Sequence, residues 1–388
     1  MLRGWRAQGF ERAGFESAGG AAVSIFEQGD QTPTIQRRSK RVGWLMLGVT
    51  AVIALGLSLF PAPYVIDNPG PTYDTLGSVL VEGTELPLIT VSGEQVFETT
   101  GQLRLTTVTR SGNPENLPGW VDVMVGWLDP TRTVIPVDVA YPPGVSVEEN
   151  RQAAQIDMEN SQQEAIAAAL SYLDIPFTSR LEINQALEGG PSEGVLLEGD
   201  IITSANGILV SDVTQLRDII AASGAQSPLP LVLERDGQVV EIQVIPRMSE
   251  GEARMPMIGI LVSGLYDFPI DIEIALDNVG GPSAGLMFAL GIVDKLAAED
   301  ITGGAVVAGT GVINADGEVG SIGGIRHKLY GARDDGATVF FAPEANCADI
   351  GGRVPEGLQV IPVATLDDAL GALHALRSGG SVPQCPSP

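Results

Sequence analysis

Residues 42–60 form a run of nineteen uncharged, mostly apolar side chains, about the length of helix that crosses the hydrocarbon core of a bilayer. Immediately before it stands Arg37-Arg38-Ser39-Lys40-Arg41, and beyond it the chain turns acidic. Basic flanks are retained on the cytoplasmic side. The expectation is therefore a cytoplasmic tail over residues 1–41, a transmembrane signal anchor over 42–62, and everything later outside the cytoplasm, as a single-pass protein of the cell membrane. A cleaved signal peptide is the competing reading. Its apolar core ordinarily runs about 7–15 residues, shorter than this one, and Pro61-Ala62-Pro63 is a poor small-x-small cleavage site.

The chain has 388 residues, room for two or three domains. Its formal net charge is −26, although the first 41 residues carry seven basic and four acidic side chains. A body that acidic repels nucleic acid, which is set aside as a partner. Two cysteines, Cys347 and Cys385, both fall on the outer side, where a disulfide is permitted but not required. With two histidines and two cysteines far apart in sequence, no metal-ligand spacing occurs and no cofactor is expected.

Along the chain, short alternating runs between residues 78 and 140 read as strands, and residues 146–173 read as a helix closed by Pro176. Residues 178–247 form a β-rich unit with Gly189-Gly190-Pro191-Ser192-Glu193-Gly194, Gly199-Asp200-Ile201-Ile202 and Asn206-Gly207. A helix is predicted over 213–223, then strands over 229–235 and 238–246 joined by Asp236-Gly237, a strong hairpin signal. From about residue 258 to 377 strands and helices alternate, which predicts an α/β (α+β) layer structure with a mixed sheet. Strands are expected over 258–262, 270–275, 305–309, 339–342 and 359–362, and helices after Ser283, Gly324 and Thr365.

Two segments carry chemistry. Asn278-Val279-Gly280-Gly281-Pro282-Ser283-Ala284-Gly285 is a glycine-rich turn opening an apolar run, with a hydroxyl at the positive end of a helix dipole. Val319-Gly320-Ser321-Ile322-Gly323-Gly324-Ile325-Arg326-His327-Lys328 ends on one of only three lysines, Lys40, Lys295 and Lys328. A serine needs a base before it can attack. Lysine desolvated among apolar neighbours such as Ile322, Ile325 and Leu329 can be neutral and accept the proton, whereas arginine cannot. Lys295 follows Ser283 by twelve residues, roughly 18 Å along a helix, too far to serve. Gly280, Gly281, Pro282 and Ala284 are candidates for the oxyanion and substrate-backbone contacts. Thr310 and Ser321 are candidates to orient the amine.

Gly281-Pro282-Ser283-Ala284-Gly285, taken with Gly309-Thr310-Gly311, Asp316-Gly317-Glu318-Val319 and Ile322-Gly323-Gly324-Ile325 before Lys328, resembles the proteolytic domain of Lon peptidases. The likeness is to membrane-anchored bacterial Lon-like proteins with a PDZ domain. It implies Ser283 as nucleophile and Lys328 as general base of a Ser-Lys dyad, in a protease domain spanning residues 248–378 with a tail over 379–388. Residues 63–177, with Gly101-Gln102-Leu103-Arg104-Leu105-Thr106-Thr107-Val108 and the helix near Asn160-Ser161-Gln162, resemble the opening part of that domain. Residues 178–247 then resemble an inserted PDZ domain, with Gly189, Gly190 and Gly194 as candidate peptide-binding positions.

The chain departs from ATP-dependent relatives, which usually have Lys-Asp where Val279 and Gly280 stand and tend to have Glu where His327 stands. No Gly-x-x-x-x-Gly-Lys-Ser/Thr phosphate loop occurs. The expectation is an ATP-independent serine endopeptidase acting on unfolded or disordered protein, with related proteases suggesting a homo-oligomer. Two alternatives stay open. Gly281-x-Ser283-x-Gly285 with Asp367 and His374 fits the order of an α/β-hydrolase. A non-catalytic scaffold would use its PDZ domain alone, Ser283 being only a helix cap.

Overall fold

A computed structural model describes residues 37–81, 83–141, 146–249, 254–276 and 279–385, with the side chains of 37–40, 54 and 57–59 excepted. The predicted cytoplasmic tail up to residue 36, Asn278 of the glycine-rich turn and the last three residues lie outside the described residues. The apolar run forms the helix Arg37–Leu59. Among the described residues no helix is long and apolar enough to cross a membrane, and four side chains of the expected span fall outside them.

Ala54–Pro388 is one folded unit, built on two six-stranded sheets. The first is mixed, in the order Gln359–Val363, Val339–Pro343, Val306–Gly309, Gln102–Ser111, Tyr64–Asp74, Thr133–Pro136. Its first four strands are parallel and its last three antiparallel, with Gln102–Ser111 shared by both halves. Three of its strands thus come from before the inserted unit and three from after it, the two sets meeting where Gln102–Ser111 pairs with Val306–Gly309. The second sheet has the order Gln238–Val244, Leu229–Arg235, Ile201–Ala205, Thr178–Ala186, Ile260–Asp267, with Ile208–Leu209 beside Ile201–Ala205. The helix Val213–Ser223 packs in the same unit, around a separate core that includes Leu181, Ile183, Leu216 and Leu231.

Local chemistry accounts for many of these elements. Asp236 and Gly237 both take positive φ, 52° and 76°, as a two-residue turn of matching twist requires. Ser146 accepts from Glu149 N while Glu149 accepts from Ser146 N, a capping box opening the 26-residue helix Val147–Tyr172. Thr365 and Asp368 repeat the device at Leu366–Ser378. Gly285–Leu296 is apolar on every side because it lies in the main core, where Leu286, Phe288, Leu290 and Ile292 are fully buried.

Two expectations differ from what forms. Val121, Val123 and Val125 alternate as a strand would, yet Trp120–Leu128 is a helix. Only Val123 and Gly126 of it are buried, so the alternation marks no buried sheet face. The strand expected over 258–262 runs Ile260–Asp267 and joins Thr178–Ala186, carrying the inserted unit's sheet to Asp267, past the expected boundary at 247. Alternation reports which face is buried, not which neighbour a strand takes. Cys347 and Cys385 form a disulfide that ties the C-terminal segment beside the short helix Cys347–Ile350.

Candidate active site

Ser283 ends the glycine-rich loop two residues before the helix Gly285–Leu296. The loop is seated on the long helix Val147–Tyr172. Gly281 takes φ +88°, a conformation that side chains rarely adopt, and donates its N–H to Ala154 O at 2.8 Å. Gly280 lies so close that a Cβ there would stand 2.9 Å from Ala154 Cβ. Ser161 Oγ donates to Pro282 O at 2.9 Å. The Ser283 carbonyl accepts from Gly311 N at 2.9 Å and from Thr310 Oγ1 at 2.8 Å. Thr310 and Gly311 follow the strand Val306–Gly309, so the end of a sheet strand and the long helix both hold the loop.

Lys328 reaches the same place from the helix Ile325–Asp334. That helix opens at Gly324, held at φ +69° and close against Val108. Lys328 Nζ lies 2.6 Å from Ser283 Oγ and 2.8 Å from Thr310 Oγ1. The side chain is 3% exposed, and among the described residues no carboxylate pairs with it. Burial alone pushes the amine down to about 7, because water removal penalises the charged form.

The hydrogen bonds also orient that amine. A carbonyl oxygen can only accept, so the Thr310 hydroxyl proton is committed to Ser283 O. Thr310 Oγ1 must then accept from Lys328 Nζ, using one N–H of the amine. In the neutral amine this leaves the lone pair free to face Ser283 Oγ, the proton it would take.

A cleft of about 380 Å³ opens on this pair, lined by Ser283, Lys328, Gly280, Pro282, Thr106 through Thr109 and Met158. A larger groove of about 1590 Å³ shares Tyr73, Met158, Val279 and Gly280 with it and runs on past Arg151 and Gln155. The oxyanion candidates divide. Gly281 N–H is taken by Ala154 and is not available. Among the described residues the Ser283 and Ala284 N–H groups carry no hydrogen bond at the mouth of the helix, where the dipole favours an anion.

Of the two residues expected to orient the amine, Thr310 is buried and bonded to it. Ser321 is exposed and does not reach it; it lies in the loop before Gly324, outside the helix that turns Lys328 inward. Lys295 sits in the last turn of the helix that Ser283 precedes, away from the cleft. Asp367 and His374 are both exposed on Leu366–Ser378 and neither lines the cleft, so the hydrolase arrangement is not assembled. His327 is buried with Nδ1 unpartnered, and burial lowers its pKa.

In the inserted unit, Gly190 packs on Gly259 at the start of the strand Ile260–Asp267. Gly189 donates to Glu193 Oε2 and accepts from Arg247 Nη1, while Gly194 takes φ +69° with open space around it. The strand expected over 258–262 includes Gly259, which at φ +71° is a turn ahead of the strand instead; a glycine directly before an alternating run is the sequence signal for it.

Residues 269–376 match the family described as Lon protease (S16) C-terminal proteolytic domain; Ser283, Thr310 and Lys328 all fall inside the match. The Lon protease of Mesomycoplasma hyopneumoniae is 39% identical over 88 residues, 22% of this chain and 10% of that one. Lon protease 1 of Bacillus subtilis is 38% identical over 117 residues, 29% and 14%, and the Lon protease of Lachnoclostridium phytofermentans 37% over 113, 28% and 14%. The chain thus spans about a tenth to a seventh of the length of these relatives. The PDZ domain of an SdrC-like protein from Listeria monocytogenes is 17% identical with a TM-score of 0.20, covering 21% of this chain and 85% of that one. Over the matched residues, then, this chain carries a Lon-type serine-protease proteolytic domain.

Proposed function

We propose that the chain is a serine endopeptidase in which Ser283 is the nucleophile and Lys328 the general base. The observation that carries this is the buried amine, pushed down to about 7 with no carboxylate beside it, 2.6 Å from the serine hydroxyl. The Ser283 proton passes to Lys328 Nζ as Oγ attacks the substrate carbonyl carbon. The oxyanion that forms is met by the free Ser283 and Ala284 amides. Lys328 then returns the proton to the leaving amine as the C–N bond breaks, and a water activated by the same amine releases the acyl group. An extended chain fits the cleft along Thr106–Thr109, where the strand Gln102–Ser111 continues beyond its pairing with Val306–Gly309.

The wider reading is a membrane-tethered enzyme acting outside the cytoplasm without ATP on unfolded or disordered protein, able to form a homo-oligomer. Its supports are the uncharged run at 42–60 with its basic flank, and a sequence with no phosphate-loop motif. The inserted unit, PDZ-like in its sheet and helix, would recruit or regulate.

The test is cleavage of casein by the full chain in detergent without ATP. Ser283→Ala and Lys328→Ala should each abolish it with folding intact by circular dichroism, and His374→Ala should leave it unchanged. Cleavage that survives Lys328→Ala sinks the dyad.

A further inference from the structure

The strand Ile260–Asp267 ends the inserted unit's sheet. On one side it pairs with Thr178–Ala186, Val262 opposite Ile183 and Gly264 opposite Leu181. On the other side, among the described residues, no strand lies beside it, yet that edge is not open. Asn160 of the long helix Val147–Tyr172 donates from Nδ2 to Val262 O at 2.8 Å and accepts at Oδ1 from Gly264 N at 3.1 Å. One donor and one acceptor offered to residues i and i+2 of an edge are what a single residue of an added parallel strand would supply, through its own N–H and C=O. Asn160 is 4% exposed.

Its helical neighbours anchor the same unit. Asp157 pairs with Arg217. Glu164 accepts from Thr214 N at 3.0 Å and from Thr214 Oγ1 at 2.6 Å, at the first turn of Val213–Ser223. Positions 157, 160 and 164 form one stripe at helical spacing. Positions 154 and 161 lie roughly a quarter turn away, and they hold Gly281 and Pro282, the two residues before Ser283. One helix thus has adjacent faces on the inserted unit and on the nucleophile loop.

We propose that Asn160 is a positioning residue for the reaction at Ser283, and that the edge it closes is a latch. An extended peptide that adds to Ile260–Asp267 takes Asn160's hydrogen bonds, unseats the helix and slackens the Gly281–Pro282 loop. Turnover falls, because the seated state is the one that holds Ser283 against Lys328. This deepens the Ser-Lys reading and rests on it for its kinetic part. A unit that only recruits substrate would keep its accepting edge free, and filling that edge would not reach Ser283.

Hydrogen exchange on the unaltered full chain tests the coupling without any proteolysis. The Gly264 and Gly281 amides should share one opening, with equal protection and equal dependence on denaturant; separate openings overturn the latch. In Asn160→Ala both amides should exchange about tenfold faster or more, and kcat on casein peptides should fall about tenfold with KM nearly constant. Faster exchange at Gly264 alone, with kcat unchanged, also overturns it. A fluorescein-labelled Thr-Val-Thr-Val-Thr-Val peptide probes the edge and should bind Asn160→Ala about tenfold more tightly than the unaltered chain. Equal affinity, or binding to neither, overturns the claim that the freed edge accepts a peptide. If Asn160→Ala does not fold, the exchange data on the unaltered chain still decide. If the unaltered chain cleaves nothing, the Ser-Lys reading fails while the exchange result stands by itself.

Discussion

Lys328 and Glu164 are both almost wholly buried, and burial draws both to about 7 from opposite directions, the amine from 10.5 and the carboxyl from 4.5. Each also touches a threonine, Thr310 in one case and Thr214 in the other. Their surroundings part there. Lys328 has two hydroxyls and no opposite charge, so the neutral form is the one the site is built around. Glu164 accepts two hydrogen bonds that favour its charged form, while nearby Asp212 opposes it. The same desolvation therefore yields an amine suited to act as a base beside Ser283 and a strained acceptor at the junction with the inserted unit. Burial sets the pKa; the partners decide whether the shift has a chemical use.

The largest effect expected is at the proposed Ser283–Lys328 dyad. Lys328→Met should lower kcat by roughly a thousandfold or more, as loss of a base in a nucleophilic site does, yet raise thermal stability. Between about 7 and 10.5 the unfolded chain holds a proton on Lys328 that the folded chain does not. This group alone therefore makes unfolding free energy rise with pH by roughly 1.4 kcal/mol per unit over that window. Methionine removes the window and the penalty below it. Chemical denaturation of parent and variant at pH 7 and 10 measures it; a variant less stable at pH 7 would mean that the amine is not held neutral. In the parent, kcat/KM should climb about tenfold per unit below pH 7 and level off above it.

Thr310→Val comes next. Losing the hydroxyl that takes one N–H of the amine should reduce kcat by about ten- to a hundredfold, with KM nearly constant and Thr310→Ser restoring most of it. A valine variant at full rate would show that the lone pair needs no such guide.

Ser283, Lys328 and the helices that carry them were legible because glycine, proline and a rare lysine are strong local signals. The Asp236-Gly237 hairpin and the helix Val213–Ser223 were legible for the same reason. Neighbours across the fold were not. Nothing in the spacing separates Thr310 from Ser321 as partner of the amine, because the choice depends on where the strand Val306–Gly309 ends in space. Asn160 reads as one polar residue in a helix until the strand Ile260–Asp267 is placed against it. The alternation of that strand was visible, but its sheet was not.

Glu164→Gln is the smallest of these effects and the sharpest on the comparison. Between about 4.5 and 7 the folded chain holds a proton on Glu164 that the unfolded chain has released. Its contribution to stability is thus fully present below 4.5 and is lost as pH rises through 7, opposite in sign to Lys328. Glutamine keeps an acceptor for Thr214 and cannot ionise. The parent should therefore lose stability relative to Glu164→Gln between pH 5 and 7 by up to about 1.4 kcal/mol per unit, and the two should run parallel above pH 8. Urea titrations of both at pH 5, 6, 7 and 8 give the difference directly. A constant difference from 5 to 8 would mean that the two Thr214 hydrogen bonds outweigh desolvation and Glu164 is already charged at pH 5. The junction would then be an ordinary charged helix cap, and the likeness to Lys328 would end at burial.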